Sequence, residues 1–405
     1  MKCGLLGEKL EHSYSPQIHA LLGNYEYSLY ERRRDELDAF FADSSWRGVN
    51  VTIPYKRTVM DYCDTVSDRA QRIGCVNTVV RGDDGRLSGY NTDYDGFLGL
   101  VHRSGFEPEG RKALVLGSGG ASLTAQCVLH ELGAEVTVVS RSGEVNYENI
   151  YAHSDAALLV NAAPIGMYPD NGHSMVTLER LPGLQCVLDV VYNPAKTQLL
   201  LDAERLGLTA IGGLHMLVAQ AAAASRLFTG AEPEHSEEQV FSVIEREMKN
   251  IVLIGMPGCG KTTVGAALAG RLGRRFYDMD EEIVRAEGMS IPDIFSLGGE
   301  ERFRAVEHEI LRRYTKISGA VIATGGGAVT RPENIDLLRQ NSLVIWLRRD
   351  ISKLTVDGRP LSANVSLEEM FARRRPLYES SADAQADNNG SVEAAVEEIV
   401  REKQI

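Results

Sequence analysis

Two glycine-rich loops, each directly after a short apolar strand, constrain the fold of this chain most. The loop at 255–262 reads Gly-Met-Pro-Gly-Cys-Gly-Lys-Thr and follows the apolar run 251–254. It matches the phosphate-binding loop of nucleoside-triphosphate proteins at every fixed position. The loop at 117–122 reads Gly-Ser-Gly-Gly-Ala-Ser after the apolar run 113–116 and has the shape of a dinucleotide loop. The succession of strand, loop and helix predicts an α/β fold with mostly parallel sheets.

Size, charge and cysteine usage exclude several classes of protein. A chain of 405 residues has room for two or three domains with separate cores. Its net charge of −13 is carried almost entirely by residues 1–247, and neither part has the basic excess of a nucleic-acid-binding protein. No apolar run is long enough to span a membrane. Six scattered cysteines without a Cys-x-x-Cys pair favour a reducing cytoplasm over a zinc site or a disulfide framework.

Changes of pattern along the chain predict three domains. The clearest boundary lies near Met248, where a charged amphipathic helix gives way to the strand of the triphosphate loop. Residues 248–405 are expected to form a P-loop domain with a parallel sheet. Residues 101–212 read as a Rossmann-type dinucleotide domain, and residues 1–100, completed by 213–247, as a further domain that binds substrate.

The dinucleotide loop is expected to hold NADP(H). Glycines allow close backbone approach, and the free N–H groups at the start of the following helix attract pyrophosphate. Arg141, at the end of the next strand, would pair with a 2′-phosphate, where an acidic residue would favour NAD. The alternative is that Arg141 is a solvated loop cation. The residues expected to contact this cofactor are Gly117, Ser118, Gly119, Gly120, Ala121, Ser140 and Arg141.

Six further segments give the first part of the chain a family resemblance. The segments are His-Ser-Tyr-Ser-Pro at 12–16, Asn-Val-Thr-Ile-Pro-Tyr-Lys at 50–56, Gly-Cys-Val-Asn-Thr at 74–78, Gly-Tyr-Asn-Thr-Asp at 89–93, Asn-Ala-Ala-Pro-Ile-Gly-Met at 161–167 and Met-Leu-Val-Ala-Gln at 216–220. With these segments in the same order, residues 1–247 resemble shikimate dehydrogenase from end to end.

The resemblance implies roles for particular residues. Lys56 and Asp93 would be the catalytic pair, and an ammonium beside a carboxylate suits proton delivery to a ketone oxygen. The alternative is a plain ion pair. Ser13 and Ser15 would hold the substrate carboxylate with Tyr192 nearby, although the serines could instead cap a helix. The resemblance also places Thr52, Asn77 and Gln220 on ring hydroxyls, and Gly213 and Met216 near the nicotinamide.

Two residues depart from the pattern of that family. His215 stands where the family usually has glycine, and it is expected to narrow the nicotinamide pocket or alter cofactor affinity. Tyr14 lies between the two serines where lysine is frequent, and it would tune the carboxylate end of the pocket. Neither departure removes a catalytic group.

The triphosphate loop predicts its own chemistry. Its backbone N–H groups would cradle phosphates, the Lys261 ammonium would contact the β and γ oxygens, and the Thr262 hydroxyl would bind Mg²⁺. The loop does not distinguish ATP from GTP. The residues expected to contact the nucleotide are Gly258, Cys259, Gly260, Lys261, Thr262 and Thr263.

Five segments follow this loop: Tyr-Asp-Met-Asp at 277–280, Phe-Arg-x-x-Glu at 303–307, Thr-Gly-Gly-Gly-Ala at 324–328, Arg-Pro-Leu at 359–361 and Arg-Arg-Pro-Leu-Tyr at 374–378. With them, residues 249–405 resemble shikimate kinase. The resemblance implies ATP as the phosphoryl donor. It also implies a lid over about 348–362, which is shorter here than usual, with Lys353 the nearest substitute for a missing arginine.

That resemblance assigns the remaining site residues. Asp280 would contact the substrate hydroxyls near the attacking oxygen, and Asp278 would support Mg²⁺ through water. Both acids could instead form an acidic cluster at a helix N-terminus. Arg304 and Arg374 would clamp the substrate carboxylate, although Arg374 could belong to a solvated basic run. Gly326 and Gly327 would present backbone N–H groups to the substrate, and Arg359 would reach the transferring phosphate from the lid.

The two resemblances imply consecutive steps of aromatic amino-acid biosynthesis in one chain. The expected reactions are NADPH-dependent reduction of 3-dehydroshikimate and ATP-dependent phosphorylation of the shikimate formed. Two alternatives stay open. The redox part could prefer quinate, or the chain could be a regulatory pseudoenzyme that binds metabolites of the pathway, although every catalytic residue named above is present.

Overall fold

The chain forms two compact units, Met1–Glu245 and Arg246–Ile405. The computed structural model describes residues 1–10, 13–354 and 366–402. Within that part of the chain, no helix has the length and apolar content needed to cross a membrane. The boundary between the units falls inside a single helix, Glu237–Met248.

The first unit begins with a six-stranded sheet ordered β2-β1-β3-β5-β6-β4. Strand β5 runs antiparallel to both β3 and β6, while the other pairings are parallel. The elements of this lobe are β1 Lys2–Gly7, α1 Ser15–Leu22, β2 Glu26–Glu31, α2 Leu37–Ala42, β3 Gly48–Val51, β4 Thr65–Val66, α3 Asp68–Ile73, β5 Thr78–Arg81, β6 Leu87–Tyr90 and α4 Asp93–Ser104.

A second sheet in the same unit is parallel throughout and ordered β11-β10-β9-β7-β8. Alternate residues of β7 pack into two separate apolar clusters, so both faces of the sheet are covered. The strand order reverses direction at β7. In sheets of this kind, ligands bind at the carboxyl ends of the two strands that flank the reversal. The elements are β7 Lys112–Leu116, α5 Gly120–Glu131, β8 Glu135–Val139, β9 Leu158–Asn161, β10 Cys186–Asp189, α6 Gln198–Arg205 and β11 Thr209–Ile211.

The helix that follows β11 returns to the first lobe. This helix, α7 (Leu214–Thr229), packs against α4 and α1. The approach to α4 is close because Gly96 has no side chain: a Cβ there would lie 2.6 Å from the carbonyl oxygen of Met216. The next helix, α8 (Glu237–Met248), buries Val240 and Ile244.

The second unit contains a five-stranded parallel sheet ordered β13-β14-β12-β15-β16. Its central strand β12 is buried at every residue, as expected for a sheet with helices on both faces. Helix α11 is interrupted at Gly299, whose φ is 68°. The elements are β12 Asn250–Ile254, α9 Lys261–Leu272, β13 Phe276–Asp278, α10 Met279–Glu287, α11 Ile291–Tyr314, β14 Val321–Ala323, α12 Pro332–Gln340, β15 Ser342–Arg348, α13 Leu367–Ser381, β16 Ala384–Asp387 and α14 Val392–Glu402.

Candidate active sites

The predicted catalytic pair of the first unit is in direct contact. The Lys56 Nζ lies 2.6 Å from the Asp93 Oδ2, and the two side chains are 20% and 9% exposed. Lys56 follows β3, and Asp93 is the first residue of α4, where the partial positive charge of the helix N-terminus favours a carboxylate. A charge-assisted contact this well shielded from water is stronger than a surface ion pair.

Asn77 has a structural role that the sequence did not reveal. Its Oδ1 accepts a hydrogen bond from the backbone N–H of Thr92 at 2.7 Å, and its Nδ2 donates to the Thr92 hydroxyl at 3.1 Å. Thr92 immediately precedes Asp93. Asn77, which is 2% exposed, therefore fixes the start of α4 and with it the position of the Asp93 carboxylate.

The residues predicted to bind the substrate carboxylate lie around the start of α1. Ser15 is the first residue of α1, and its backbone N–H donates to the Ser13 hydroxyl at 3.2 Å. The N-cap of α1 is Tyr14, which makes no side-chain capping bond, so Ser13 makes a local bond just before the helix and does not cap it. The ring of Tyr14 meets that of Tyr192 edge-on, with centroids 6.4 Å apart. Burial raises the pKa of the Tyr192 hydroxyl, so that hydroxyl stays protonated and able to donate.

The other two residues predicted to bind ring hydroxyls lie on elements next to the Lys56–Asp93 pair. Thr52 follows β3 directly, in the loop that carries Lys56. Gln220 lies on α7, is 8% exposed, and donates from Nε2 to the carbonyl oxygen of Leu217 at 2.8 Å.

The dinucleotide loop lies against Lys56, the predicted catalytic lysine. Gly117 has a φ of 106°, which favours glycine, and α5 begins at Gly120, whereas the sequence pattern predicts a helix over 122–132. A Cβ at Gly120 would lie 3.4 Å from the Cδ of Lys56. Ser122, which occupies the third glycine position of the motif, donates its hydroxyl to the carbonyl oxygen of Gly117 at 2.7 Å and so closes the loop.

Arg141 is an exposed cation just beyond β8. Its charge lowers the pKa of the Tyr147 hydroxyl, although burial raises that pKa more strongly. The turn that presents Arg141 is closed by a hydrogen bond from the N–H of Ser140 to the carbonyl oxygen of Val145 at 3.1 Å. This position, after the strand next to β7, is where NADP-binding proteins hold the 2′-phosphate.

Gly213 and Met216 lie where the second sheet meets α7. A Cβ at Gly213 would lie only 2.1 Å from the carbonyl oxygen of Val190, so this position accepts no larger residue without movement. Met216 is 7% exposed.

The contact that the structure shows for His215 is with α8. Its ring stacks on that of Phe241 at a centroid distance of 3.6 Å. The Arg103 guanidinium lies 5.5 Å from the same Phe241 ring. Burial, and then Arg103, lower the pKa of His215 to about 4, so the imidazole is neutral near pH 7.

In the second unit, the triphosphate loop needs glycine at three positions. Gly255, Gly258 and Gly260 have φ values of 145°, 76° and 98°. Lys261 is the first residue of α9 and is 7% exposed. Its ammonium donates to the carbonyl oxygens of Gly255 at 2.9 Å and Met256 at 3.0 Å.

The two predicted magnesium residues are in contact. The Thr262 hydroxyl donates to the Asp278 Oδ2 at 2.5 Å. The other carboxylate oxygen of Asp278 accepts the backbone N–H of Asp280 at 2.9 Å and caps α10. The helix-terminus alternative is therefore correct for one oxygen of Asp278, while the other faces the triphosphate loop.

A buried ion pair lies under the predicted glycine loop of the substrate site. Arg304 Nη1 and Glu307 Oε2 are 2.6 Å apart, and their side chains are 6% and 1% exposed. A Cβ at Gly327 would lie 2.1 Å from Arg304 Nη2, and one at Gly325 would lie 2.6 Å from Glu307 Oε1 and 3.0 Å from Asp280 Oδ1. The glycine loop thus packs directly on these charged groups.

Arg374 joins the same loop from α13. Its Nη1 donates to the carbonyl oxygen of Gly326 at 3.1 Å, and the Tyr378 hydroxyl donates to the same oxygen at 2.6 Å. Arg374 is half-buried, whereas Arg373 and Arg375 are exposed. Arg374 is therefore distinct from the solvated run in which it lies.

Glu307 received no role from the sequence. Its Oε1 is buried and has no hydrogen-bond partner among residues 1–10, 13–354 and 366–402. The pKa of the Glu307 carboxyl is raised, chiefly by burial. Arg304 and Arg374 lower this pKa, and Asp280 raises it further. The sequence feature that could have indicated a role for Glu307 was its spacing from Arg304, which places both side chains on one face of a helix.

A cavity of about 290 Å³ adjoins the triphosphate loop. The Asn388 side chain donates to the carbonyl oxygen of Cys259 at 2.7 Å and holds the loop beside it. Lys353 donates to the carbonyl oxygen of Asn389 at 3.2 Å. Arg359 and most of the predicted lid lie outside the described residues. Residues that line the cavity include Met256, Trp346, Arg348, Arg349, Phe371 and Asn389.

A cavity of about 610 Å³ in the first unit is lined by none of the predicted site residues. It lies among α3, α4 and α7, and its three arginines are paired with acids at 2.8–2.9 Å. The Lys56–Asp93 region has more features of an active site, because a shielded ion pair there lies against a glycine loop. The three pairs are Arg69–Asp95, Arg72–Glu131 and Arg226–Glu232.

Comparison with known proteins agrees with the geometry of the candidate sites in both units. Residues 5–79 match the family model of the shikimate dehydrogenase substrate-binding domain, and residues 257–404 match that of shikimate kinase. An NADP⁺-dependent shikimate dehydrogenase from Methanopyrus kandleri is 37% identical over 262 residues, which are 56% of this chain and 90% of that protein.

Solved structures give the same result for the first unit. Shikimate 5-dehydrogenase from Thermus thermophilus, in complex with NADP(H) and shikimate, is 34% identical, with a TM-score of 0.56 over 61% of this chain and 99% of that one. A quinate dehydrogenase from Corynebacterium glutamicum, in complex with NAD, is 28% identical, with a TM-score of 0.55 over 60% of this chain and 98% of that one. The chain is therefore a bifunctional enzyme of the shikimate pathway, in which a member of the NADP⁺-dependent shikimate dehydrogenase family precedes a shikimate kinase domain.

Proposed function

We propose that the first unit reduces 3-dehydroshikimate to shikimate and that the second phosphorylates shikimate to shikimate 3-phosphate. One observation carries the proposal: each unit holds a shielded lysine against a glycine loop. Lys56 lies against Gly120, and Lys261 donates to Gly255. The hydroxyl that the first reaction forms would be the one that the second phosphorylates.

In the reduction, bound NADPH would supply the hydride that reaches the ring carbon. Lys56 would deliver a proton from its ammonium to the ketone oxygen, and the contact with Asp93 would hold that ammonium in position. The open, positive-φ backbone of the dinucleotide loop and the exposed Arg141 fit a phosphorylated dinucleotide. Ser13, Ser15 and Tyr192 would bind the substrate carboxylate, while Thr52, Asn77 and Gln220 would bind the ring hydroxyls.

In the phosphorylation, bound ATP with Mg²⁺ would supply the phosphoryl group. The Thr262 and Asp278 oxygens are the hard ligands that Mg²⁺ prefers. Lys261 would stabilise charge on the transferring phosphate.

The buried charges of the second unit would hold the acceptor. Arg304 and Arg374 would bind the shikimate carboxylate, and Gly326 and Gly327 would donate from the backbone. Asp280 would accept from the attacking hydroxyl. We add Glu307, whose buried Oε1 would accept from another substrate hydroxyl.

A labelled coupled reaction tests the proposal. Purified full-length protein receives 3-dehydroshikimate, NADPH deuterated at both C4 positions of the nicotinamide, ATP and Mg²⁺, and the products are identified by mass. We expect shikimate 3-phosphate that carries one deuterium. Omission of ATP should stop the reaction at deuterated shikimate, and omission of NADPH should give no product. Unlabelled or unphosphorylated product in the complete mixture would contradict the proposal.

Cofactor preference tests the role of Arg141. Arg141→Asp should lower kcat/KM for NADPH by roughly 10²-fold, because an acid would repel the 2′-phosphate, and should leave kcat/KM for NADH nearly unchanged. Arg111→Asp, at another exposed site of the same lobe, is the matched control for the change of charge. An unchanged preference for NADPH over NADH would exclude Arg141 from the cofactor site.

A second candidate substrate for the redox reaction is quinate, because a solved quinate dehydrogenase shares the fold at 28% identity. Steady-state oxidation of shikimate and quinate by the same preparation would separate the two. We expect shikimate to have the higher kcat/KM, since the kinase domain of the same chain would consume it.

We also propose a cytoplasmic location. All six cysteines are free, including the buried Cys259 in the triphosphate loop. Reducing compartments keep such thiols from pairing, and the expected cofactors are cytoplasmic metabolites.

A further inference from the structure

A buried carboxylate at the end of β10 joins two loops of the first unit. Asp189 is 0% exposed. Its Oδ1 accepts hydrogen bonds from Asn161 Nδ2 at 2.9 Å and from the backbone N–H of Val191 at 2.9 Å. Its Oδ2 accepts from the Thr197 hydroxyl at 2.6 Å. A buried acid with three donors holds its neighbours in one arrangement, because separating them would leave polar groups unpaired.

The first of these loops supports the dinucleotide loop. Asn161 ends β9, and its side chain also donates to the carbonyl oxygen of Ile165 at 3.1 Å and accepts the N–H of Ala163 at 3.2 Å. A Cβ at Gly117 would lie 3.1 Å from the carbonyl oxygen of Ala162 and 3.2 Å from the Cβ of Ala163. The loop that Asp189 holds through Asn161 is therefore the surface against which Gly117 packs.

The second loop supports the opposite wall of the expected cofactor site. The carbonyl oxygen of Val191 accepts the N–H of Gly213 at 3.0 Å, and that of Val190 lies 2.1 Å from where a Cβ on Gly213 would be. Tyr192 is the next residue. Through Thr197, the carboxylate also holds the start of α6, because the Thr197 hydroxyl accepts the N–H of Leu200 at 3.4 Å.

We propose that Asp189 is a positioning residue of the dehydrogenase site, whose carboxylate sets the spacing between the dinucleotide loop at Gly117 and the wall formed by Gly213 and Tyr192. This inference rests on the proposed reduction. Asp189 itself touches neither reactant; it acts through the two loops. Burial raises the pKa of its carboxyl to about 7, while hydrogen bonds from Thr197, Val191 and Asn161 lower it.

Asp189→Asn tests this with little change of shape. The variant can keep an oxygen for Asn161 and Val191, but it places an amide N–H₂ against the Thr197 hydroxyl. We expect kcat of the reduction to fall by about 10- to 100-fold, since small displacements of reacting groups have effects of this size. The KM for NADPH should change by less than about threefold, because Arg141 and most of the phosphate loop are untouched. A purely structural residue would instead lower the amount of folded enzyme and leave kcat per folded molecule unchanged.

Thr197 provides a matched pair of variants if Asp189→Asn folds poorly. Thr197→Val removes the hydroxyl at constant shape, whereas Thr197→Ser retains it. We expect Thr197→Val to lower kcat and Thr197→Ser to restore it to within about threefold of the unmodified enzyme. Equal losses in both Thr197 variants, or an unchanged kcat in Asp189→Asn, would overturn the proposal.

The emission of bound NADPH separates this inference from the proposed function. That emission reports on the surroundings of the nicotinamide and does not require the substrate to be known. It should change in Asp189→Asn and Thr197→Val and stay constant in Thr197→Ser; identical spectra in all four proteins would overturn the positioning role. Unmodified protein that binds NADPH but does not reduce 3-dehydroshikimate would refute the proposed reaction alone.

Discussion

Replacement of Lys261 by alanine is expected to lower kcat for phosphorylation of shikimate by about 10³-fold, the upper range for loss of one preorganised charged donor. The ammonium is 7% exposed and held by two carbonyl oxygens of its own loop, so its charge acts in a site with little water. Release of ADP, followed by a coupled assay, measures this loss. The reduction should proceed at its original rate, because Lys56 and Asp93 belong to the other unit.

Arg271→Ala is the control for this variant. Arg271 lies later on the same helix, is 59% exposed, and pairs only loosely with Glu397 at 3.7 Å. Its loss should leave both activities unchanged, since exposed pairs contribute little. Near-normal phosphorylation by Lys261→Ala, with an unchanged melting temperature, would show that this lysine does not stabilise the transferring phosphate.

Replacement of Lys56 by alanine is expected to lower kcat of the reduction by roughly 10³- to 10⁴-fold. The variant loses the proton donor and also leaves the Asp93 carboxylate, 9% exposed, without its cation. The decrease in NADPH absorbance measures the rate. Phosphorylation of added shikimate should be unaffected.

Lys112→Ala is the matched control, because it also breaks a lysine–aspartate contact in the same unit. Lys112 and Asp155 are about half exposed, so this contact is weak. Loss of both activities in Lys56→Ala would contradict the independence of the two sites. A variant that still reduces the ketone at nearly the original rate would exclude Lys56 as the proton donor.

Local pattern predicted most of the secondary structure that carries the two loops. The sequence at 135–139 predicts the second strand of the dinucleotide unit, and the structure has it at Glu135–Val139. The pattern predicts the helices after the two loops over 122–132 and 263–272, and the structure begins each of them two residues earlier, at Gly120 and Lys261. Glycine has a low helix propensity, but here the loop backbone continues directly into the first helical turn.

Contacts between distant segments were harder to predict. The family resemblance paired Lys56 with Asp93, but spacing alone does not bring together residues that lie on different elements. The structural roles of Asn77, Asp189 and Glu307 depend on which neighbours supply their hydrogen bonds, and that information is absent from periodicity. The sequence also did not indicate that β5 runs antiparallel, because the apolar pattern of a short buried strand is the same in either direction.

His215 shows the same limit. His215 was expected to narrow the nicotinamide pocket or alter cofactor affinity, and that expectation stays a prediction. The structure shows a contact that the sequence did not indicate, a stack on Phe241 of α8. The path of α8 after α7 determines that Phe241 is the partner of His215, and one substituted position in the sequence does not indicate that path.

The divided use of the Asp278 carboxylate would have a consequence for loading of the proposed Mg²⁺ site. One oxygen caps α10 and the other accepts from Thr262, so an arriving cation with its bound water would compete only for the second. The hydroxyl of Thr262 needs only to rotate its hydrogen away and offer a lone pair. Filling and emptying the site in each turnover would therefore require little reorganisation energy, and the helix that carries Asp280 would keep its anchor throughout.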